Sequence, residues 1–259
     1  LGNPYRHLHR IQVKGTSTRG IKVNVVKLIN CRVRRLATGG GAAALLATAV
    51  LFGSHAPSAT AEPCPDVDVV FARGTAEPPG VGGVGGSFVD ALRGQVGARS
   101  VAVYPINYQA SSDFGNPDFV ATFIDGIRDA TSHIESMAAN CPKTREVLGG
   151  FSQGAAVAGY VTSATVPTGI STASVPPPMP PDIASHIAAV TLFGTPSGQF
   201  LEKYGAPAIA IGPLYQPKTL QLCAPGDPIC GAGNDPGAHG AYPLNGMTGQ
   251  AASYAASHL

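Results

Sequence analysis

The chain has 259 residues, 44% hydrophobic and only 12% charged, which allows one sizeable core and excludes a coiled coil or a charge-driven disordered tail. Its 33 glycines and 23 prolines make it turn-rich, but no triplet period marks a collagen-like chain. The formal charge of +2 hides an asymmetry: residues 1–61 hold nine Lys/Arg and no acid, while 62–259 hold eight basic and all 15 acidic residues, a balance that argues against nucleic-acid binding.

The first predicted element is a leader. Arg34 and Arg35 precede an uncharged apolar run, Leu36–Phe52, and Ala59-Thr60-Ala61 follows it. A basic n-region, an apolar h-region and an Ala-x-Ala site describe a secretory signal peptide. A membrane anchor would want ~20 strongly apolar residues, and this run is short and rich in Gly and Ala. Residues 1–61 are therefore expected to be an N-terminal extension plus signal peptide, with translation starting near Val33. Residues 62–259 are expected to be a single secreted domain.

Cleavage removes Cys31 and leaves Cys64, Cys141, Cys223 and Cys230, an even count suited to an oxidising compartment. Three connectivities are possible; the spacing favours Cys223–Cys230 as a local staple, which leaves Cys64–Cys141. A zinc site competes poorly, because residues 62–259 have no C-x₂-C pair and no paired His.

Asp66–Ala72 ends in an apolar, β-rich run and reads as a buried strand. A Gly/Pro loop, 73–86, leads to a helix over Ser87–Val96 with Ser87 as candidate N-cap. Ser100–Tyr104 is a second strand. Pro117–Ala139 has apolar residues in a 3–4 period and reads as a long helix covering the sheet. Glu146–Gly150 is a strand and Gln153–Thr162 a small-residue helix. Thr165–Pro181 is a Pro/Ser/Thr-rich insertion. Ile187–Phe193 and Thr219–Cys223 are strands, and Thr248–His258 is a last helix. Strands alternate with helices, and their apolar runs are continuous. That predicts an α/β layer fold with a mainly parallel sheet covered on both faces.

Gly150-Phe-Ser152-Gln-Gly154 is the only G-x-S-x-G in the chain. A predicted strand leads in and an Ala-rich helix leads out, which is the context an elbow serine needs. A serine nucleophile needs a base, and the base an orienting acid, in the chain order Ser, acid, His. Three His follow Ser152. His258 is penultimate, and His186 enters a strand from the wrong end. His239, in a Gly/Pro-rich loop, is the expected base. Asp227 follows a strand and lies inside the Cys223–Cys230 loop, which would restrain its carboxylate. It is favoured over its rival Asp235, and Asp182, beside the insertion, is a poor candidate. Oxyanion donors are expected from Gln153, the residue after the nucleophile, and from Thr75 in the loop after the first strand. Gly80-Val-Gly-Gly-Val-Gly85 also matches a dinucleotide-binding pattern, but no acid stands about 20 residues on.

Cys64, Phe71-Ala-Arg-Gly-Thr75-Ala-Glu77, Gly149-Gly-Phe-Ser152-Gln-Gly154-Ala, Cys223…Gly226-Asp227-Pro-Ile-Cys230 and Ala238-His239 together resemble the cutinase family, closest to secreted mycobacterial cutinase-like serine esterases. The resemblance spans Cys64 to Leu259. It implies a three-layer α/β-hydrolase-type fold and the disulfides Cys64–Cys141 and Cys223–Cys230. It also carries a catalytic triad onto Ser152, Asp227 and His239, and oxyanion donors onto Thr75 and Gln153. Where the fungal relatives usually have Ser, this chain has Thr75. The function it implies is ester hydrolysis through an acyl-enzyme; a preference for short-to-medium acyl chains is expected separately, from small loops around the serine and the lack of a lid-like helix in the sequence. The competing reading is a cell-wall-associated antigen or lipid-binding protein with a vestigial triad. No metal, organic cofactor or nucleic acid is expected. The expected partners are a small ester or lipid substrate and the cell wall, and the chain is taken as a monomer. The small loops Gly80–Gly86, Thr165–Pro181 and Gly231–Gly240 are expected to rim a shallow cleft, the alternative being that Leu201–Leu214 extends it.

Overall fold

Five strands form one sheet in a computed structural model that describes residues 63–116 and 118–259. The expected leader, its cleavage site and the extension before it lie outside the described residues. In chain order the strands are β1 (Val67–Ala72), β2 (Val101–Pro105), β3 (Arg145–Phe151), β4 (Ile187–Phe193) and β5 (Thr219–Leu222). The helices are α1 (Gly82–Arg93), α2 (Phe119–Asn140), α3 (Gln153–Val161), α4 (Pro181–His186), α5 (Gly198–Lys203) and α6 (Met247–Ala256). The strand order is β2-β1-β3-β4-β5 and every pairing is parallel. A parallel ladder needs a crossover between strands, and the helices supply it on both faces.

Alternation along β1 divides the core. Val67, Val69 and Phe71 face a cluster with Phe88 of α1, Phe193 of β4 and Ala251 of α6. Val70 and Ala72 face a cluster with Ile134 of α2, Ala158 of α3 and Ala184 of α4. Three layers result, as expected for an α/β-hydrolase-type fold. Phe71, Phe88 and Phe193 pack with ring centroids 5.8–6.3 Å apart. Burying each such side chain contributes about 1.5–3 kcal/mol. Among the described residues, no helix is long and apolar enough to cross a membrane.

Both expected disulfides form, Cys64–Cys141 and Cys223–Cys230. The first ties the chain entering β1 to the end of α2. The second closes the loop after β5.

Helix α1 departs from the sequence reading. It begins at Gly82 rather than at Ser87. The glycine run therefore lies largely within a helix. A side chain at Gly85 would stand 2.7 Å from the Phe71 ring, so the glycine lets α1 settle onto β1. Ser87 is not a cap; its hydroxyl lies 3.0 Å from that of Thr248 and ties α1 to α6. The short helix α5, N-capped by Ser197, escaped the sequence reading altogether.

Candidate active site

The carboxyl ends of parallel strands share one edge of the sheet, and the chemistry gathers there. Strand β3 ends at Phe151, and the chain turns so sharply at Ser152 that its φ is +54° and its ψ −117°. A non-glycine residue seldom adopts that conformation, which costs of order 1–3 kcal/mol. The two flanking glycines make the turn feasible. A side chain at Gly150 would fall 2.2 Å from the Gly154 carbonyl oxygen, and one at Gly154 would fall 2.1 Å from that of Ala72. The Ser152 N–H donates to the Phe193 carbonyl at 2.8 Å, which pins the elbow to β4. Helix α3 starts at the next residue and presents its N-terminus to the site.

His239 sits on a single helical turn, Ala238–Gly240, after β5. Its Nε2 lies 2.7 Å from Ser152 Oγ and its Nδ1 2.8 Å from Asp227 Oδ2. Gly194 makes room for the ring. It has φ +60°, and a side chain there would stand 2.9 Å from His239 Cε1. Asp227 is 1% exposed and lies within the Cys223–Cys230 loop. Burial pushes its pKa up, but hydrogen bonds from Tyr242, His239 and the Ile229 N–H outweigh burial and hold it below the ordinary carboxyl value. It stays a carboxylate.

Sequence reasoning gave Tyr242 no role. Its hydroxyl donates to Asp227 Oδ2 at 2.7 Å and accepts the Ala224 N–H at 3.2 Å. Burial, followed by the Asp227 contact, raises its pKa, so it remains a neutral donor. The available signal was a phenol one helical turn after His239. The rival acid, Asp235, builds its own turn instead, accepting the Gly237 N–H at 2.9 Å. Asp182 lies in the first turn of α4, and His186 stands where β4 begins, at the opposite edge of the sheet. His258 Nδ1 lies 2.8 Å from the Tyr254 carbonyl, behind α6.

Thr75 and Gln153 line the same cleft as Ser152 and His239. The Thr75 loop is braced by Arg73, which donates to the carbonyls of Glu77 at 2.8 Å and Tyr108 at 2.5 Å. The Glu77 carboxylate accepts the N–H groups of Gly74 at 2.6 Å and Gly83 at 2.8 Å. Sequence reasoning left Glu77 without a function; it fixes the loop's curvature. Gln153 Nε2 donates to the Ser111 carbonyl at 3.0 Å. The only convergence of potential metal-binding side chains among the described residues is Cys223, Asp227 and Cys230. Both sulfurs are committed to the disulfide, so this is not a metal donor set.

The cleft is larger than expected, about 500 Å³. Gly80–Gly86 does not line it, because most of that run is folded into α1. The insertion does line it, from Thr165 to Pro178, and so does the segment from Phe200 to Pro207. Helix α2 also proves more than a cover for the sheet. Phe119, Val120, Phe123 and Ile124 face the cleft, while Ala130 and Ile134 face the core. The shallow-cleft expectation is corrected accordingly. A second, more polar groove of about 730 Å³ beside Tyr108, Asp125 and Arg128 contains none of Ser152, His239 or Asp227.

Comparison with known proteins places the chain in a family. Residues 63–259 match the family model described as Cutinase. The chain is 68% identical over 165 residues to a probable carboxylesterase, Culp7, of Mycobacterium tuberculosis, covering 64% of this chain and 88% of that one. It is 47% identical over 226 residues to the phospholipase Culp4 of the same organism, covering 87% and 92%. Among solved structures it resembles a Trichoderma reesei cutinase in complex with a phosphonate inhibitor. That likeness has a TM-score of 0.55 and 30% identity, covering 76% of this chain and 77% of that one.

Proposed function

The chain belongs to the cutinase family and is a carboxylic ester hydrolase, and from that premise we propose that Ser152, His239 and Asp227 are its catalytic triad and Thr75 and Gln153 its oxyanion donors. The observation that carries the reading is the unbroken hydrogen-bond line from Ser152 Oγ through the His239 ring to Asp227, with the serine on a strained elbow.

Ser152 Oγ attacks the ester carbonyl carbon as its proton passes to His239 Nε2. Asp227 accepts from Nδ1, fixes the tautomer and stabilises the imidazolium that forms. The oxyanion is received by the Gln153 N–H at the start of α3 and by Thr75. His239 returns the proton to the departing alcohol and leaves an acyl group on Ser152. Water, deprotonated by His239, then attacks the acyl carbon. The acid is released and Ser152 regains its proton. The steps balance with water as the only second substrate.

Secretion is part of the proposal and rests on the leader pattern, Arg34-Arg35, Leu36–Phe52 and Ala59-Thr60-Ala61, with 62–259 as the single mature domain. Mass spectrometry of protein recovered from culture medium is expected to give an N-terminus at or just after Ala61; one well upstream of Ala59 contradicts it.

The catalytic reading is tested with p-nitrophenyl butyrate. Ser152→Ala and His239→Ala are each expected to remove nearly all turnover while leaving the melting temperature close to that of the parent. Activity that survives Ser152→Ala in a folded protein rejects Ser152 as nucleophile, and a folded parent without turnover returns the chain to the vestigial-triad reading.

A further inference from the structure

Two helices measure the cleft. Along α3, Gln153, Ala156, Tyr160 and Val161 face it, beginning beside Ser152. At 1.5 Å per residue that stripe runs for roughly 12 Å. Along α2, the stripe from Phe119 to Thr131 runs for roughly 18 Å. The apolar surface is therefore a groove leading away from the nucleophile.

Its chemistry is hydrocarbon. Among the described residues, no Lys, Arg, Asp or Glu lines it. Two of the polar side chains along it, Tyr160 and Ser163, are engaged within the protein. Tyr160 donates to the Pro207 carbonyl at 2.5 Å, and Ser163 donates to that of Ala210 at 3.0 Å. A ligand with polar groups along its length would lose water there and gain little in return. The third wall is the Pro-rich insertion, through Val166, Ile170 and Val175. That wall is anchored. Arg128 of α2 donates to the Ser174 carbonyl at 3.2 Å, and Met179 is buried in the core. At the mouth, Phe114 and Tyr204 pack across the groove with ring centroids 5.3 Å apart, and Val120 beside them is 56% exposed.

We propose that this groove binds the acyl chain of the substrate, and that the insertion Thr165–Pro178 makes the enzyme selective for acyl chains of about ten to fourteen carbons, an extended chain advancing roughly 1.25 Å per carbon. The inference rests on Ser152 being the nucleophile, because the carbonyl must lie there for the chain to follow α3. It replaces the expectation of a short-to-medium preference, whose premise was a shallow cleft.

The test is kcat/KM for p-nitrophenyl acetate, butyrate, octanoate and dodecanoate, each kept below its micellar threshold. The parent is expected to rise at least tenfold from acetate to dodecanoate. An Ile170→Ser/Val175→Ser double variant is expected to lower the dodecanoate-to-acetate ratio at least fivefold, and Val120→Ser to lower it less. The ratio corrects for any loss of folded enzyme. A parent profile that peaks at butyrate and then falls overturns the groove. So does an unchanged ratio in the double variant. If none of the esters, acetate included, is hydrolysed, the nucleophile assignment has failed and the groove proposal falls with it.

Discussion

Among the described residues, two His–Asp pairs stand at opposite edges of one sheet, and only one of them holds a serine. His239–Asp227 is 2.8 Å long, with side chains 19% and 0% exposed; His133–Asp68 is 2.6 Å long, with side chains 18% and 3% exposed. Length and burial thus fail to distinguish them. The difference lies in what else each ring meets. His239 turns its second nitrogen to Ser152 Oγ on a strained elbow at the head of a cleft. The His133 ring lies flat on Tyr104, centroids 3.5 Å apart and planes within 8°, and its pair lies away from that cleft. On the proposed assignment, an acid–imidazole pair is a structural unit that becomes chemical only where the backbone delivers a hydroxyl and an approach for substrate. The two edges also differ in how they treat carboxylates. Asp227 is fully partnered. Beside Asp68, its neighbour in register Glu146 is buried with neither oxygen hydrogen-bonded among the described residues.

The strongest way to break the comparison is to treat both acids alike. Asp227→Asn should lower kcat/KM by about 10⁴ by spoiling the imidazole tautomer, whereas Asp68→Asn should lower the melting temperature and change kcat/KM only a few-fold. Comparable kinetic losses at both positions, or a crippling Asp235→Asn beside a mild Asp227→Asn, would defeat the assignment.

Next in size is the response of the far edge to alkali. Burial first, and the Asp68 charge second, push the Glu146 pKa from 4.5 up to about 8. The folded state thus holds this proton more tightly than the unfolded chain does. The stability it contributes is full below pH 4.5, falls as pH rises, and is lost through pH 8, with a total of roughly 5 kcal/mol. A melting-temperature series from pH 5 to 9 should slope downward for the parent and flatten for Glu146→Gln. Parallel slopes would show that Glu146 is not the titrating group.

The Cys223–Cys230 loop contributes an estimated 2–3 kcal/mol by the chain-entropy model, and it also frames Asp227. A Cys223→Ser/Cys230→Ser variant should therefore lose activity at temperatures well below its melting point. Full activity there would separate the staple from the site. The smallest effect concerns Tyr242, whose hydrogen bond to the Asp227 carboxylate is of the charge-assisted kind. Tyr242→Phe should cost about tenfold in kcat/KM, read alongside circular dichroism to confirm folding. A loss confined to stability would make Tyr242 a core residue only.

Much of this was legible in the sequence for identifiable reasons. Strands buried on both faces leave continuous apolar runs, so β1 and β4 stand out. Gly150 and Gly154 announce a close strand–helix approach. Asp227 separates from Asp235 by its place just after a strand and between two cysteines. The start of α1 was hidden because a glycine-rich run reads as a loop, and only the Phe71 ring explains why it is helical. The double duty of α2 was hidden because periodicity reports an apolar stripe and not what the stripe faces. Tyr242 and Glu77 were passed over because their roles depend on partners brought near by the fold, the Asp227 carboxylate and the Gly74 and Gly83 N–H groups.

The proposed reaction requires Ser152 to be a nucleophile activated by His239. A fluorophosphonate probe reads that directly, since it phosphonylates an activated serine and releases fluoride. Peptide mass mapping is expected to find one adduct per chain, on Ser152, formed rapidly in the parent and in Asp68→Asn and largely lost in His239→Ala. A folded parent that hydrolyses esters but carries no adduct on Ser152, or carries it on another residue, would contradict the account.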